Sequence, residues 1–195
     1  PLPSSILPLP CHLMPTIQPT SINADIRERA ARIRLACFDV DGTLTDGRLH
    51  YDSDGRESKD FHVLDGQGMV LLQRFGIQVA FITARNSQSA AHRARDLGVQ
   101  GFIGARDKLA QVRALCEEQG IGLDQVAFMG DDLPDLEAML AVGLSVAPAN
   151  AHRWIADRAR WITGASGGQG AARELCDLLL DAQGHTDVLL AGRAP

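Results

Sequence analysis

An α/β sandwich, a parallel sheet with helices on both faces, is the fold that this sequence predicts. Three observations carry the prediction. Short apolar runs (IRLACFDV, IQVAFITAR, DQVAFMG and LSVAP) recur with helical segments between them, the alternation from which parallel sheets are built. Glycines at 76, 98 and 120 close three of those helical segments, as helix stops do. The polar residues Asp39, Asp41, Thr83, Asp131 and Asp132 follow directly on the apolar runs. Such sheets bind their ligands outside the carboxyl ends of the strands.

Taken in order, Ser21 offers a cap to the short amphipathic helix IRERAARI, and IRLACFDV is a buried strand. RLHYDSDGRESKDFHV predicts a β-hairpin with arms Arg48–Tyr51 and Glu57–His62 about the turn Ser53-Asp54-Gly55. DGQGMVLLQRFG is a helix with a glycine-rich start. IQVAFITAR and VQGFIG are strands, separated by the helix NSQSAAHRARDLG. DKLAQVRALCEEQG is a helix with Asp107 as its candidate N-cap. DQVAFMGDDLPD is a strand running into an acidic loop; LEAMLAVG, LSVAP, NAHRWIADRA, ARWITG and GAARELCDLLLDAQ continue the alternation. The predicted whole is a Rossmann-like three-layer α/β fold with a hairpin inserted after the first core strand and no cap domain.

The chain has 195 residues, 45% of them hydrophobic, enough for one domain with a proper core. Residues 1–24 are rich in proline and serine and carry no Asp, Glu, Lys or Arg. They read as a disordered or loosely packed leader without the basic start and continuous apolar stretch of a secretory signal. The folded domain is expected over 25–184, with the hairpin at about 47–63, and 185–195 as a flexible tail. A net charge of −5 disfavours broad attraction to nucleic acid, and no apolar run approaches a bilayer span. Cys11, Cys37, Cys116 and Cys176 lack CxxC or zinc-type spacing, so reduced thiols in a cytoplasmic protein are expected.

Four signals carry chemistry. In DVDGT, Asp39 and Asp41 are separated by one residue at a strand end. Two such carboxylates repel unless a cation or a shared proton relieves them, and a hard divalent metal is the natural partner. Thr83 ends the apolar run in ITAR, where a hydroxyl can donate to a phosphate oxygen or simply shape a turn. Lys108 opens a helix, where it is either a surface residue or an inward cation for phosphate and carboxylate. GDDLPD, Gly130–Asp135, sets an acidic doublet after a buried strand, costly unless it binds a cation or faces water.

These motifs, in this order from about Arg34 to Ala147, resemble the haloacid dehalogenase-like superfamily of phosphatases. The resemblance implies that Asp39 attacks phosphorus and that Asp41 protonates the leaving oxygen and then activates water. It implies that Thr83 and Lys108 hold the phosphoryl oxygens. Asp39, the backbone carbonyl of Asp41, and Asp131 would bind Mg²⁺, with Asp132 acting through a metal-bound water or orienting its neighbours. TLTDG, DGQG, ITARNS and GGQGAARE are similar to the 3-deoxy-D-manno-octulosonate 8-phosphate phosphatases. In that family a hairpin replaces the cap and a homotetramer completes each site. The substrate implied is a small sugar-acid phosphate in lipopolysaccharide precursor synthesis.

Arg85 is a candidate for an anionic substrate group, or a solvated arginine at a helix start. Asn86 can meet sugar hydroxyls or cap a helix, with the cap favoured. Gly66 and Gly68 let backbone approach a ligand or shape a turn. Arg173 belongs to a C-terminal lid or to a surface helix. Lys59 and Arg48 meet substrate or partner, or are solvated hairpin charges, the commoner case; His50 and His62 read as surface or interface residues. Three rival functions are a phosphatase of a nonulosonate 9-phosphate, a macromolecular phosphatase with an open site, and a non-catalytic member of the fold.

Overall fold

The computed structural model describes residues 20–192. Six strands form one parallel sheet: β1 (Leu35–Phe38), β4 (Gln78–Thr83), β5 (Gln100–Ile103), β6 (Val126–Met129), β7 (Leu144–Ala147) and β8 (Trp161–Ile162). Their order is β5-β4-β1-β6-β7-β8. Phe38 pairs with Phe81 on one side and Met129 on the other. β1 is therefore central, and the chain reverses direction across the sheet beside it, the place where parallel sheets open a crevice.

Strand residues alternate faces, and β1 divides the core accordingly. Ala36 and Phe38 face the helices α1 (Ala24–Ala30), α2 (Val63–Arg74), α3 (Gln88–Leu97) and α7 (Ala171–Ala182). Leu35 and Cys37 face α4 (Lys108–Gln119), α5 (Leu136–Ala141) and α6 (Arg153–Ala156). All four β1 residues are buried, as the apolar run requires. The three-layer arrangement is the expected one.

Local signals mostly act where the sequence puts them. Gly98 and Gly120 end α3 and α4 in the left-handed conformation, and Asp107 Oδ1 accepts from Ala110 N at 2.9 Å. Three details differ. Asn23, not Ser21, caps α1 by accepting from Ile26 N. Ser87, not Asn86, caps α3, its hydroxyl accepting from Ala90 N at 3.3 Å. The segment NAHRWIADRA is helical only over Arg153–Ala156.

The hairpin is shorter than its sequence arms: β2 (His50–Tyr51) pairs antiparallel with β3 (Glu57–Ser58). Asp52 Oδ1 ties the turn by accepting from Asp54 N and Arg56 N, the side-chain chemistry that makes aspartate a turn residue. No cap domain follows β1 among the described residues. At the ends of the described chain, Thr20 O accepts from Trp161 Nε1 at 3.1 Å. A short helix, α8 (Thr186–Leu190), follows α7, with His185 stacked on Phe75 at 4.2 Å.

Candidate active site

Three adjacent strands end at one cleft. β1 delivers Asp39 and Asp41, β4 delivers Thr83, and β6 delivers Asp131 through Gly130. Asp39 N still donates to Met129 O at 2.9 Å, so this carboxylate stands at the last ladder position. The chain then turns sharply: Leu44 N and Thr45 N both donate to Val40 O. Gly42 sits in this turn at φ +87°, and a Cβ there would lie 2.1 Å from Asp131 Oδ2. Only glycine allows both the backbone conformation and the approach of that acid.

The cleft, of about 310 Å³, is walled by Asp39, Asp41, Thr83, Arg85, Lys108 and Asp131, among others. Lys108, the first residue of α4, turns inward and is 4% exposed. A cation at a helix N-terminus is poorly placed with respect to the helix dipole. Two acids compensate: Lys108 Nζ donates to Asp39 Oδ1 at 2.6 Å and to Asp135 Oδ1 at 2.5 Å. Burial would lower the Lys108 ammonium, but Asp39 and Asp135 outweigh it and hold its pKa above the ordinary value.

Asp135 is the acid that the sequence motifs did not single out. It is 1% exposed. Its Oδ2 accepts from Asp131 N at 3.0 Å and Asp132 N at 3.3 Å, shaping the acidic loop. Its place three residues after Asp132 in GDDLPD, the spacing at which an acid closes back on the amides of a helix start, was the available signal. Asp132 is exposed and caps the turn after it, accepting from Leu133 N at 2.8 Å. Asp131 Oδ1 accepts from the Thr43 hydroxyl at 3.1 Å.

Asp39, Asp131 and Asp135 bring carboxylate oxygens within 4.8 Å of one another. Burial, and then the charge of Asp135, push Asp39 up to about 8 and Asp131 up to about 7. One ammonium is too little positive charge for two buried acids and a half-buried third. A hard divalent cation fits this donor set. Both Asp135 oxygens are already engaged by Lys108 and backbone amides, so Asp39 and Asp131 are the freer ligands and Asp135 supports them from behind.

The hairpin reaches the same cleft. Lys59 donates to Asp41 Oδ1 and stands 3.2 Å from Glu57 Oε1. Arg85 Nη2 donates to Glu57 Oε2 at 2.5 Å and to Tyr51 Oη at 3.0 Å, and its Nε lies 3.7 Å from Asp41 Oδ2. Burial would raise Glu57, but hydrogen bonds from Ser87, Arg85 and Lys59 outweigh it and bring it down to about 2. Lys59 directly follows β3, two residues on from Glu57, and the extended chain there turns both side chains the same way. That spacing was the sequence signal for an inward pair where solvated charge was the commoner expectation.

Other candidates lie elsewhere. Asn86 is exposed with its Oδ1 over Gly104. Gly66 and Gly68 are inside α2, buried, where a Cβ would strike Arg93 Nη2 at 2.2 Å and Cys176 Cβ at 2.8 Å respectively. They let α2 pack closely on its neighbours and do not line the acidic cleft. Arg173 Nε donates to Asp177 at 2.7 Å along α7, and its side chain lines a separate cavity with Gln67 and Leu71 of α2, not the acidic cleft. GGQG, by contrast, buttresses the site. Gly168 N donates to Thr43 O at 3.2 Å, and a Cβ on Gly167 would lie 1.9 Å from Gly42 O.

An aspartate pair at the end of the central strand, a lysine and a second acidic loop around it, and a hairpin in place of a cap define the class: a haloacid dehalogenase-like hydrolase. The family model of that description matches residues 104–175. The 3-deoxy-D-manno-octulosonate 8-phosphate phosphatase of Escherichia coli K12 is 42% identical over 167 residues, covering 85% of this chain and 89% of its own. A solved protein of Xanthomonas campestris is 62% identical with a TM-score of 0.87, covering 89% and 96% of the two chains. The Moraxella catarrhalis phosphatase, solved with magnesium, phosphate and the 3-deoxy-D-manno-octulosonate molecule, is 40% identical with a TM-score of 0.84, covering 86% and 97%. The chain belongs to the 3-deoxy-D-manno-octulosonate 8-phosphate phosphatase family.

Proposed function

We propose that this chain is a Mg²⁺-dependent phosphoric monoester hydrolase that converts 3-deoxy-D-manno-octulosonate 8-phosphate and water to the free sugar acid and phosphate, in lipopolysaccharide precursor synthesis. The observation that carries the reading is the buried Asp39–Lys108–Asp135 cluster opening onto Asp41 and Asp131, in a chain so similar to phosphatases of that name.

Asp39 attacks phosphorus from the strand end. The ester P–O bond breaks, its electron pair goes to the leaving oxygen, and that oxygen takes the proton carried by Asp41. Asp41 then takes a proton from water as the water oxygen attacks the aspartyl-phosphate, which regenerates Asp39 and releases phosphate. Thr83 and Lys108 bind the phosphoryl oxygens and hold them in line. Bound Mg²⁺ supplies positive charge beside the transferring group; Asp39, Asp131 and the Asp41 carbonyl would hold it, with Asp132 and Asp135 supporting. Arg85 meets the substrate's carboxylate, for which a guanidinium is a good match. Asn86, exposed above the rim, and Gly66 and Gly68 in α2 are at most indirect contributors to sugar binding.

The enzyme works as a cytoplasmic homotetramer in which a neighbouring subunit covers the open cleft. Exposed apolar side chains support such covering: Val63 is 74% and Tyr51 57% exposed, on the first turn of α2 and on the hairpin. No helix of the described residues is long and apolar enough to cross a membrane. A stable monomer in sedimentation would overturn the tetramer.

Phosphate release from a panel of sugar phosphates with Mg²⁺ tests the substrate. The expected outcome is marked preference for the octulosonate in kcat/KM. A nonulosonate 9-phosphate preferred by about tenfold or more overturns the assignment.

A further inference from the structure

The hairpin lysine has no assigned part in this chemistry, yet it is one of the most enclosed cations of the molecule. The Lys59 side chain is 1% exposed, and it directly follows a two-residue strand at the protein surface. Burying an ammonium is costly unless its partners are fixed around it. Here they are. Asp41 Oδ1 accepts from Lys59 Nζ, Glu57 Oε1 stands 3.2 Å away, and Glu57 is in turn held by Arg85, by the Ser87 hydroxyl at 2.7 Å and, through its backbone carbonyl, by Ser89 at 3.3 Å. The network runs from the N-terminus of α3 through the hairpin and ends on Asp41. Asp41 Oδ2 makes no hydrogen bond, and Arg85 Nε, 3.7 Å from it, makes none either. Lys59 is thus the one hydrogen-bonding side-chain partner of Asp41 among the described residues, and it grips a single oxygen.

We infer that Lys59, braced by Glu57, is a positioning residue for the proton transfers of Asp41. It fixes the carboxyl group through Oδ1, so that the group stands at the leaving oxygen when the ester P–O bond breaks and the proton passes to that oxygen. The hairpin is then a working part of the site as well as its rim. This inference rests on the phosphatase reading and adds a residue to it.

The distinguishing test is the leaving group. An alkyl phosphate needs its leaving oxygen protonated; an aryl phosphate with an acidic phenol does not. For the wild type, Lys59→Met, Lys59→Arg and Asp41→Asn, kcat/KM is measured on the octulosonate phosphate (or the best alkyl phosphate of the panel) and on p-nitrophenyl phosphate. This ratio reports steps up to departure of the leaving group. Lys59→Met is expected to lose about 100-fold on the alkyl ester and under about fivefold on the aryl ester, the pattern of Asp41→Asn, with Lys59→Arg between it and wild type. Equal losses on both esters would mark a merely structural role and overturn the inference, as would no loss on either. Should Lys59→Met not fold, Glu57→Gln takes its place: a loss confined to the alkyl ester supports the inference, and equal or absent losses overturn it. A wild type inactive on every phosphate would instead overturn the phosphatase reading itself.

Discussion

Asp135 shares Lys108 with Asp39: its Oδ1 accepts from the ammonium at 2.5 Å, while its Oδ2 accepts from the backbone N–H of Asp131 at 3.0 Å. One buried side chain thereby sets both the cation and the acidic loop. Removing it leaves Lys108 with a single anion and strips two amides of their acceptor. Asp135→Ala is expected to cost about 3 kcal/mol of stability and to lower kcat at least about tenfold. Glu137→Ala, an exposed acid two residues on with no ion pair among the described residues, should stay within about 0.5 kcal/mol of wild type. Chemical denaturation and steady-state kinetics on the two variants check this.

Asp39→Asn should abolish turnover while leaving the fold intact, because the amide keeps the shape and loses the nucleophile. A fall of about 10⁴-fold or more is expected. Circular dichroism and phosphate release measure the two halves. More than trace activity, with deamidation excluded by mass spectrometry, would count against a covalent mechanism.

Chelation should stop the reaction, and added Mg²⁺ should restore it. Full activity in chelator would remove the metal role given to Asp131.

The acids also predict a pH dependence of stability in chelator. Asp39 rises from 3.8 to about 8 and Asp131 from 3.8 to about 7, burial being the largest cause for each. Between those limits the folded state holds protons that the unfolded chain has released. The stability they contribute is complete below about pH 4 and is lost as pH rises through 7 and 8. Glu57 is depressed from 4.5 to about 2, so its contribution stays constant above about pH 5 and fails only in acid. The thermal midpoint in chelator should therefore fall from about pH 5 to about pH 8, and the increment gained with Mg²⁺ should grow over the same range. A midpoint that climbs across that window in chelator would contradict the raised acids.

Gly167→Ala tests the buttress behind the aspartate loop. A Cβ at 1.9 Å from Gly42 O must displace one of the two loops. Overpacking of this kind costs about 1–3 kcal/mol, and a displaced nucleophile loop should lower kcat by about tenfold or more. Differential scanning calorimetry and kinetics on one preparation separate the two effects. Unchanged kcat would mean that the 167–170 loop does not position the site.

Much of this molecule was legible along the chain. The apolar runs and glycine stops mark the six strands and most helices, because burial on both sheet faces demands unbroken apolar strands and helix ends demand caps. Asp39, Thr83, Lys108 and Asp131 stand at strand ends or helix starts, places that short-range pattern identifies. DGQG was harder to read. Its glycines serve close packing of α2 against Arg93 and α7, a need set by helices far apart in sequence. Lys59 and Glu57 read as ordinary hairpin charges until the hairpin is folded over the cleft.

By itself, then, the sequence determined the sheet, the order of its motifs and the family's acid and lysine set, since these follow from local periodicity and from residue chemistry at strand ends. Only the tertiary structure decided which side chains share a charge. Asp135 with Lys108 and Lys59 with Asp41 are pairs 27 and 18 residues apart. The reason is physical: the cost of burying a charge is settled by whichever partner the fold brings within hydrogen-bonding distance.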